Sequence, residues 1–323
     1  MPQTSSAGKP RRETARPKLD VQKVHSFVEE LFAEQLHARR VLSISDGVVG
    51  VIHAAALSIH AIGHGLAIAK GRISKHTMKQ VDRLLSNGKF DVWQHFALWV
   101  PYLIAERREI VVALDWTDFE ADDHTTIALY LITSHGRATP LMWKTHLKST
   151  LEGERTAHEH ELIDHFLEIV DPQLKVTLLA DRGFGDQELY RLLAFRHVDF
   201  VIRFRECILV TTPEGETRPA TEFVPPNGRV RKIDGAKVTS DRTEIGAVVC
   251  VKAARMKDSW CLATSRNDLT GAEVVKLYGR RFTIEETFSL HPPRERDVEV
   301  LHRHACAGVG PPTPLLGRRS ASA

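Results

Sequence analysis

Glu109-Ile-Val-Val-Ala-Leu-Asp115 and Lys175-Val-Thr-Leu-Leu-Ala-Asp181 decide the fold. Each is a short apolar run that closes on an aspartate, and the first is rich in β-branched residues. Such runs read as strands buried on both faces. Between them, Thr125 to Thr133 and Thr139 to Thr145 read as two further strands, joined by a hairpin turn at Ser134-His135-Gly136-Arg137. Thr156 to Val170 has helical spacing, with Leu162, Phe166 and Ile169 on one side, and Asp171-Pro172 ends it. A helix from about Asp186 to Phe195 and a strand from Asp199 to Phe204 follow the second run. The order β-β-β-α-β-α-β, antiparallel first and parallel afterwards, predicts a mixed α/β sheet.

Outward from this core the grammar changes. Cys207 to Thr264 is turn-rich with short strand-like runs (Gly246 to Ala253, Trp260 to Ala263) and reads as a small β-rich insertion. Thr270 then caps a helix running to about Phe288. On the other side, Val21 to Glu106 reads as helical in several pieces. Within it, Val48 to Ala69 carries no Lys, Arg, Asp or Glu, so a membrane span must be weighed. The stretch holds His53, Ser58, His60 and His64 and favours Ala and Gly over Leu and Phe. A buried, mildly amphipathic helix, N-capped by Asp46 and stopped by Gly71, fits better than a span.

The next helix, Ser74 to Leu85, sets Met78, Val81 and Leu85 on one face and Lys75, Lys79 and Arg83 at i, i+4, i+8 on another. Its cationic row reads either as a solvated face or as a phosphate-binding face of a helix-turn-helix-like module. Met1 to Lys18 carries Lys9, Arg11, Arg12, Arg16 and Lys18 against Glu13 and lacks the apolar residues to fold alone.

Bulk properties narrow the class without naming it. With 42% hydrophobic and 26% charged residues over 323 positions, the chain reads as globular with ample core. A formal net charge of +3 proves no polyanionic partner, so DNA binding must be argued from local clusters. Cys207, Cys250, Cys261 and Cys306 form no CxxC pair and read as reduced thiols of a cytoplasmic protein. The N-terminus has no apolar signal-peptide segment.

Three acids carry the chemistry. Asp115 and Asp181 emerge at strand ends, which in a parallel pair lie at one sheet edge, where open α/β sheets bind ligands. On the Thr270 helix, Tyr278, Arg281 and Glu285 fall at i, i+3, i+7, at the border of a buried stripe formed by Leu277, Ile284 and Phe288. A carboxylate at Glu285 can reach both aspartates. Asp118, Asp122 and Asp123 lie past the apolar run, in an expected loop, and are weaker candidates. Three clustered carboxylates need cations. Mg²⁺ or Mn²⁺ suits all-oxygen ligands, and two such ions serve phosphodiester displacement.

Ala-Leu-Asp115-Trp-Thr, Leu-Leu-Ala-Asp181-Arg-Gly-Phe and Tyr278-Gly-Arg-Arg281-Phe-Thr-Ile-Glu285 together resemble the motifs of bacterial insertion-sequence DDE transposases. The closest group carries a Tyr-x2-Arg-x3-Glu-x6-Lys signature. The resemblance implies a ribonuclease H-like mixed sheet with a β-rich insertion, preceded by an all-α N-terminal DNA-binding region. It also implies a metal triad of Asp115, Asp181 and Glu285, with Tyr278 and Arg281 on transposon-end DNA. The activity implied is metal-dependent cleavage and strand transfer on double-stranded DNA, cut-and-paste through a hairpin, by a DNA-bound homodimer without a membrane. The signature lysine would fall at Pro292, followed by Pro293, which halts a helix.

The expected organisation is a basic arm (1–19, disordered), a helical DNA-binding region (20–106), a catalytic domain (107–288, insertion 205–265) and an out-of-frame, disordered tail (289–323). A chain with this tail is expected to transpose poorly. Two alternatives are a non-catalytic DNA-binding remnant that represses full-length copies, and a metal nuclease without strand transfer.

Overall fold

The computed structural model describes residues 20–119, 123–133, 138–254 and 256–284. The turn expected at 134–137, the basic arm and the proline-rich tail lie outside the described residues. The chain divides into two compact units, Met1–Leu85 and Ser86–Ala323.

The first unit is four helices: α1 (Val21–Phe32), α2 (Ala38–Ala54), α3 (Ile59–Lys70) and α4 (Ser74–Leu85). The expected single helix over Val48 to Ala69 is instead two, bent by 96°. Ala55 takes a left-handed φ of 49° as the C-cap of α2, and the Ser58 hydroxyl caps α3 by accepting from Ala61 N–H. The Ala/Gly composition has a packing cause. A Cβ on Gly65 would fall 2.7 Å from the Gly50 carbonyl oxygen, and one on Gly63 would fall 2.6 Å from Met78 Cα. The helices approach too closely for larger residues, so small side chains are required where helix backbones nearly touch.

Asp46 is not an N-cap. It sits inside α2, 1% exposed, where it meets Lys70, Arg72, Gln80 and His25. Gly71 does stop α3, as the left-handed C-cap. Among the described residues no single helix is long and apolar enough to cross a membrane.

The second unit starts with α5 (Val92–Ile104), whose Phe96, Val100 and Ile104 join the core of the sheet that follows. Strands β1 (Glu109–Phe119), β2 (His124–Ile132) and β3 (Ala138–Leu147) form an antiparallel meander. Then come α6 (Arg155–Ile169), β4 (Lys175–Ala180), α7 (Gln187–Phe195) and β5 (Asp199–Phe204), with β4 parallel to both β1 and β5. The spatial order β3-β2-β1-β4-β5, antiparallel on one side of β1 and parallel on the other, is the ribonuclease H-like arrangement.

The stretch after β5 is β-rich, and its strands are shared between two sheets. β6 (Leu209–Thr211), β7 (Thr217–Pro219), β9 (Lys237–Val238) and β10 (Thr243–Glu244) make a small sheet of their own. β8 (Arg231–Asp234), β11 (Ala247–Val251) and β12 (Trp260–Thr264) instead extend the main sheet beyond β5, in the order β5-β12-β11-β8, to eight strands. Their apolar content explains the choice: every residue of β11 is buried, which a two-layer surface hairpin would not allow.

The sheet has two covered faces. Val112, Leu114, Leu178 and Ala180 face α5, α6 and α7, and Val210 and Val238 of the small sheet join the same core. Ala113 and Leu179 face α8 (Gly271–Gly279) through Val274 and Tyr278. Thr270 caps α8 with a reciprocal Glu273 bond. The helix crosses the strands rather than following them. Gly271 sits against Val230 and Val249, while Arg280 Nη2 reaches the Ile132 carbonyl on β2. The expected continuous helix tightens into a 3₁₀ turn at Arg280–Phe282.

Candidate active site

β1 and β4 run parallel in a register that pairs Leu114 with Ala180. Asp181 is the first residue past β4, but Asp115 is not at a strand end as expected: β1 runs on to Phe119, so Asp115 stands inside it, beside the end of β4 and about 4.8 Å from Asp181 along the sheet. Strand alternation puts both on the face of Ala113 and Leu179, beneath α8. The loop after β4 is held locally: Asp181 Oδ1 accepts from Gly183 N–H at 2.7 Å. A Cβ on Gly185 would fall 2.8 Å from Phe204 Cβ, so this return can hug β5 only as glycine.

Arg281 and Tyr278 reach the same point from α8 and its 3₁₀ extension. Arg281 Nη1 lies 3.9 Å from Asp115 Oδ1. Both residues are more deeply placed than a border position implies: Tyr278 is 1% and Arg281 7% exposed. Burial opposes the guanidinium charge, but Tyr278, Asp115 and Asp181 outweigh it and raise the Arg281 pKa. Burial likewise pushes the Tyr278 hydroxyl up, against Arg281 beside it. Glu285 lies outside the described residues.

Asp118 is not in a loop. β1 continues through it, and alternation turns it to the opposite face from Asp115. There Thr125 Oγ1 donates to it at 2.6 Å, and Lys148 and Arg155 pair with it at 3.1 and 3.4 Å. The Thr125 bond and these cations hold its carboxyl below the ordinary range against partial burial. It braces the sheet edge. Asp123 is bound by the Ser149 amide and hydroxyl, and Asp122 lies outside the described residues.

Three neighbours escaped the sequence reading. Glu159 on α6 is 5% exposed and accepts from Trp116 Nε1 at 2.8 Å. Burial pushes its carboxyl up to about 7, with Asp186 and Asp181 adding and Trp116 and Arg155 opposing. Its signal was present, since it precedes Leu162 and Ile163 by one helical turn and so shares their buried face. Tyr130 is raised to about 12 by burial and then by Asp115. It stands on β2 two residues from Ala128, the partner of Asp115. Arg203 on β5 lies on the α8 face and donates to the Ser259 carbonyl; nothing in its local sequence marks it.

Two neighbouring carboxylates, one inside β1 and one just past β4, with no sulfur or imidazole between them, suit a hard divalent cation such as Mg²⁺ or Mn²⁺. Among the described residues no group of three or more metal-ligating side chains gathers. In the other unit, Lys75, Lys79 and Arg83 are all exposed along α4, whose Thr77 and Val81 are buried.

The comparisons with known proteins agree with this geometry at the level of family. No curated protein matches the chain. Two solved structures of Marinitoga piezophila Argonaute, one with guide RNA and target DNA and one with guide RNA, are similar at 10% identity. Their TM-scores are only 0.23 and 0.24. They cover 64% and 68% of this chain but 30% and 34% of their own, so the chain spans about a third of their length and the likeness carries no argument. The family model for the transposase DDE domain matches residues 106–291, more than half of the chain and all of the strand, loop and helix segments that build the site. The chain belongs to the transposase DDE domain family.

Proposed function

We propose that this chain cleaves DNA strands and joins them to new sites in a divalent-cation-dependent reaction, with Asp115, Asp181 and Glu285 as the metal-binding acids. The observation that carries the reading is the neighbouring register of Asp115 and Asp181 beneath a buried arginine. Mg²⁺ or Mn²⁺, two ions when fully bound, would be held by these carboxylates and would activate the attacking oxygen and stabilise the leaving 3′-oxygen.

The chain's own residues do the rest. The two aspartates fix a negative pocket at a strand edge, and the stiffness of paired strands keeps their spacing constant. Arg281 offsets that charge before any cation arrives and presents the guanidinium fork that suits a phosphate. Tyr278 packs against Trp260 and Phe282, with ring centroids 4.9 and 6.4 Å away, and so holds Arg281 from behind. The exposed row Lys75, Lys79 and Arg83 supplies sequence-independent phosphate binding. The chain would act on two element ends as a homodimer, in a cytoplasmic, nucleoid-bound setting.

The test is nicking of supercoiled plasmid with Mn²⁺ by the full chain, beside Asp115→Asn and Asp181→Asn. Loss of nicking in both variants, with retained folding and DNA binding, is expected. Equal nicking by all three proteins would overturn the reading.

A further inference from the structure

Strand register extends the edge that holds Asp115 and Asp181 well past β4. Ala180 pairs with Ile202, so Asp181 is level with Arg203. Phe204 pairs with Cys261, Trp260 with Val251, and Cys250 with Arg231. The end of β5, the start of β12, the end of β11 and the start of β8 therefore share one edge with the two aspartates. Crossing from β4 to β8 takes four strand spacings, about 19 Å in all.

That edge is strongly cationic. Arg182, Arg205, Lys257, Lys252, Arg229 and Arg231 occur along it in spatial order, and all six are exposed. Arg231 lies over the Phe223 ring at 5.1 Å. The nearby acids are occupied: Glu206 accepts from the Ser259 hydroxyl, Asp258 faces Arg203 at 3.8 Å, and Glu222 faces Arg218 at 3.8 Å. A surface that merely needed solubility would intersperse both signs along such a row. Here the positive groups come from five separate loop or strand ends and are aligned only by the tertiary pairing of β5, β12, β11 and β8.

We infer that this edge is a ledge for the phosphate backbone of duplex DNA, covering about six base pairs to one side of the bond cleaved at Asp115 and Asp181. The length follows from about 19 Å of sheet edge and about 3.4 Å per base pair. The inference rests on reading those aspartates as the cleavage site. Its chemistry is that of flexible arginine and lysine side chains on phosphate oxygens, which positions the duplex without reading its sequence. The strands added beyond β5 thereby acquire a role. They lengthen the edge until it accommodates about half a turn of DNA.

The experiment uses the full chain and a fluorescent random-sequence duplex of about 30 base pairs in EDTA, with affinity followed against salt. The variant Arg205→Gln, Arg229→Gln, Lys252→Gln, Lys257→Gln avoids Arg231, which packs on a ring, and avoids the acids and Arg281. Every phosphate that is no longer neutralised lowers the logarithmic salt slope by about 0.9, so the slope should fall by up to about 3.6. A charge-retaining Arg205→Lys, Arg229→Lys variant should keep the slope, and melting temperature checks that both fold. A wild-type slope in the quadruple variant would overturn the ledge while leaving the cleavage reading intact. A reduced slope, together with unimpaired nicking by Asp115→Asn, would sink the cleavage reading and keep the ledge as a DNA surface. Failure of the wild-type chain to bind duplex at all would overturn both.

Discussion

Arg281 Nη1 stands 3.9 Å from Asp115 Oδ1, and the arginine is buried where the aspartate is only partly covered. An interior guanidinium is costly unless an anion faces it, and two carboxylates on neighbouring strands repel unless a cation faces them. Each half therefore supports the other. Arg281→Ala leaves Asp115 and Asp181 without that cation and opens space beneath the 3₁₀ turn. Because Asp115 is partly hydrated, the expected loss is about 1–3 kcal/mol, a fall in melting temperature of several degrees. Arg281→Lys should recover part of it. A melting temperature unchanged in Arg281→Ala would mean that the pair contributes nothing to folding.

Glu159 makes folding stability depend on pH in a direction opposite to that of a paired carboxylate. Its native carboxyl, raised by burial to about 7 from an ordinary 4.5, keeps a proton that the unfolded chain has lost across that interval. Stability is thus fully present below about 4.5 and declines as pH rises through about 7, by at most about 3 kcal/mol. Glu159→Gln keeps an acceptor for Trp116 and removes the titration. The stability of this variant minus that of the wild type should grow between pH 4.5 and 7.5. His146, lowered to about 4 by burial, then by His158 and Lys144, has the opposite dependence, losing stability as pH falls, and cancels in the subtraction. A flat difference curve from urea unfolding would count against a buried, protonated Glu159.

In the helical unit Asp46 gathers partners from three other segments: His25 on α1, Lys70 and Arg72 at the end of α3, and Gln80 on α4. Asp46→Ala should destabilise this unit by about 3–5 kcal/mol, because Lys70 stays largely buried without its anion. Asp46→Leu with Lys70→Met should regain much of the loss. Urea denaturation followed by far-ultraviolet circular dichroism would decide it, and additive losses in the double variant would argue against coupling.

Two glycines in the same unit should separate space from conformation. Gly63→Val drives a side chain into the Met78 backbone, where a Cβ already falls 2.6 Å from Cα, and should cost upwards of about 3 kcal/mol. Gly71→Ala meets nothing within 4 Å but must hold a φ of +64°, for an expected cost of about 1 kcal/mol. Equal destabilisation by the two would contradict the close α3–α4 approach.

Lys75, Lys79 and Arg83 give the fifth expectation. Replacing all three by Ala should weaken binding to unrelated duplexes alike and lower the salt slope by up to about 2.7. Unchanged affinity and slope would assign the α4 row to solvation alone.

Local pattern was enough for much of this molecule. The runs ending at Asp115 and Asp181 declare buried strands because only a doubly covered sheet can use such unbroken apolar content. Their equivalent places after the two apolar runs bring both acids side by side if the strands are parallel, although β1 continues past Asp115 to Phe119. Helix α4 and the Thr270 cap could be read from spacing and from one side-chain bond, since both depend on residues within four positions. Other features depended on partners distant in sequence. Asp46 looked like a cap because its neighbours resemble a helix start, yet four distant polar groups draw it inside the helix. Val48 to Ala69 looked continuous, since nothing in a run of Ala and Gly reveals that a second helix must cross it. β8, β11 and β12 looked like a detached insertion because strand partners lie far apart in sequence, and only pairing energy selects the main sheet. The packing of Tyr278 against Trp260 and the alignment of Arg205, Lys257, Lys252 and Arg229 on one edge follow from that choice, and the pairing of Glu159 with Trp116 depends in the same way on α6 covering β1. Periodicity specifies which face of an element is apolar. Which other element covers that face, and hence which charges meet, is set by long-range packing.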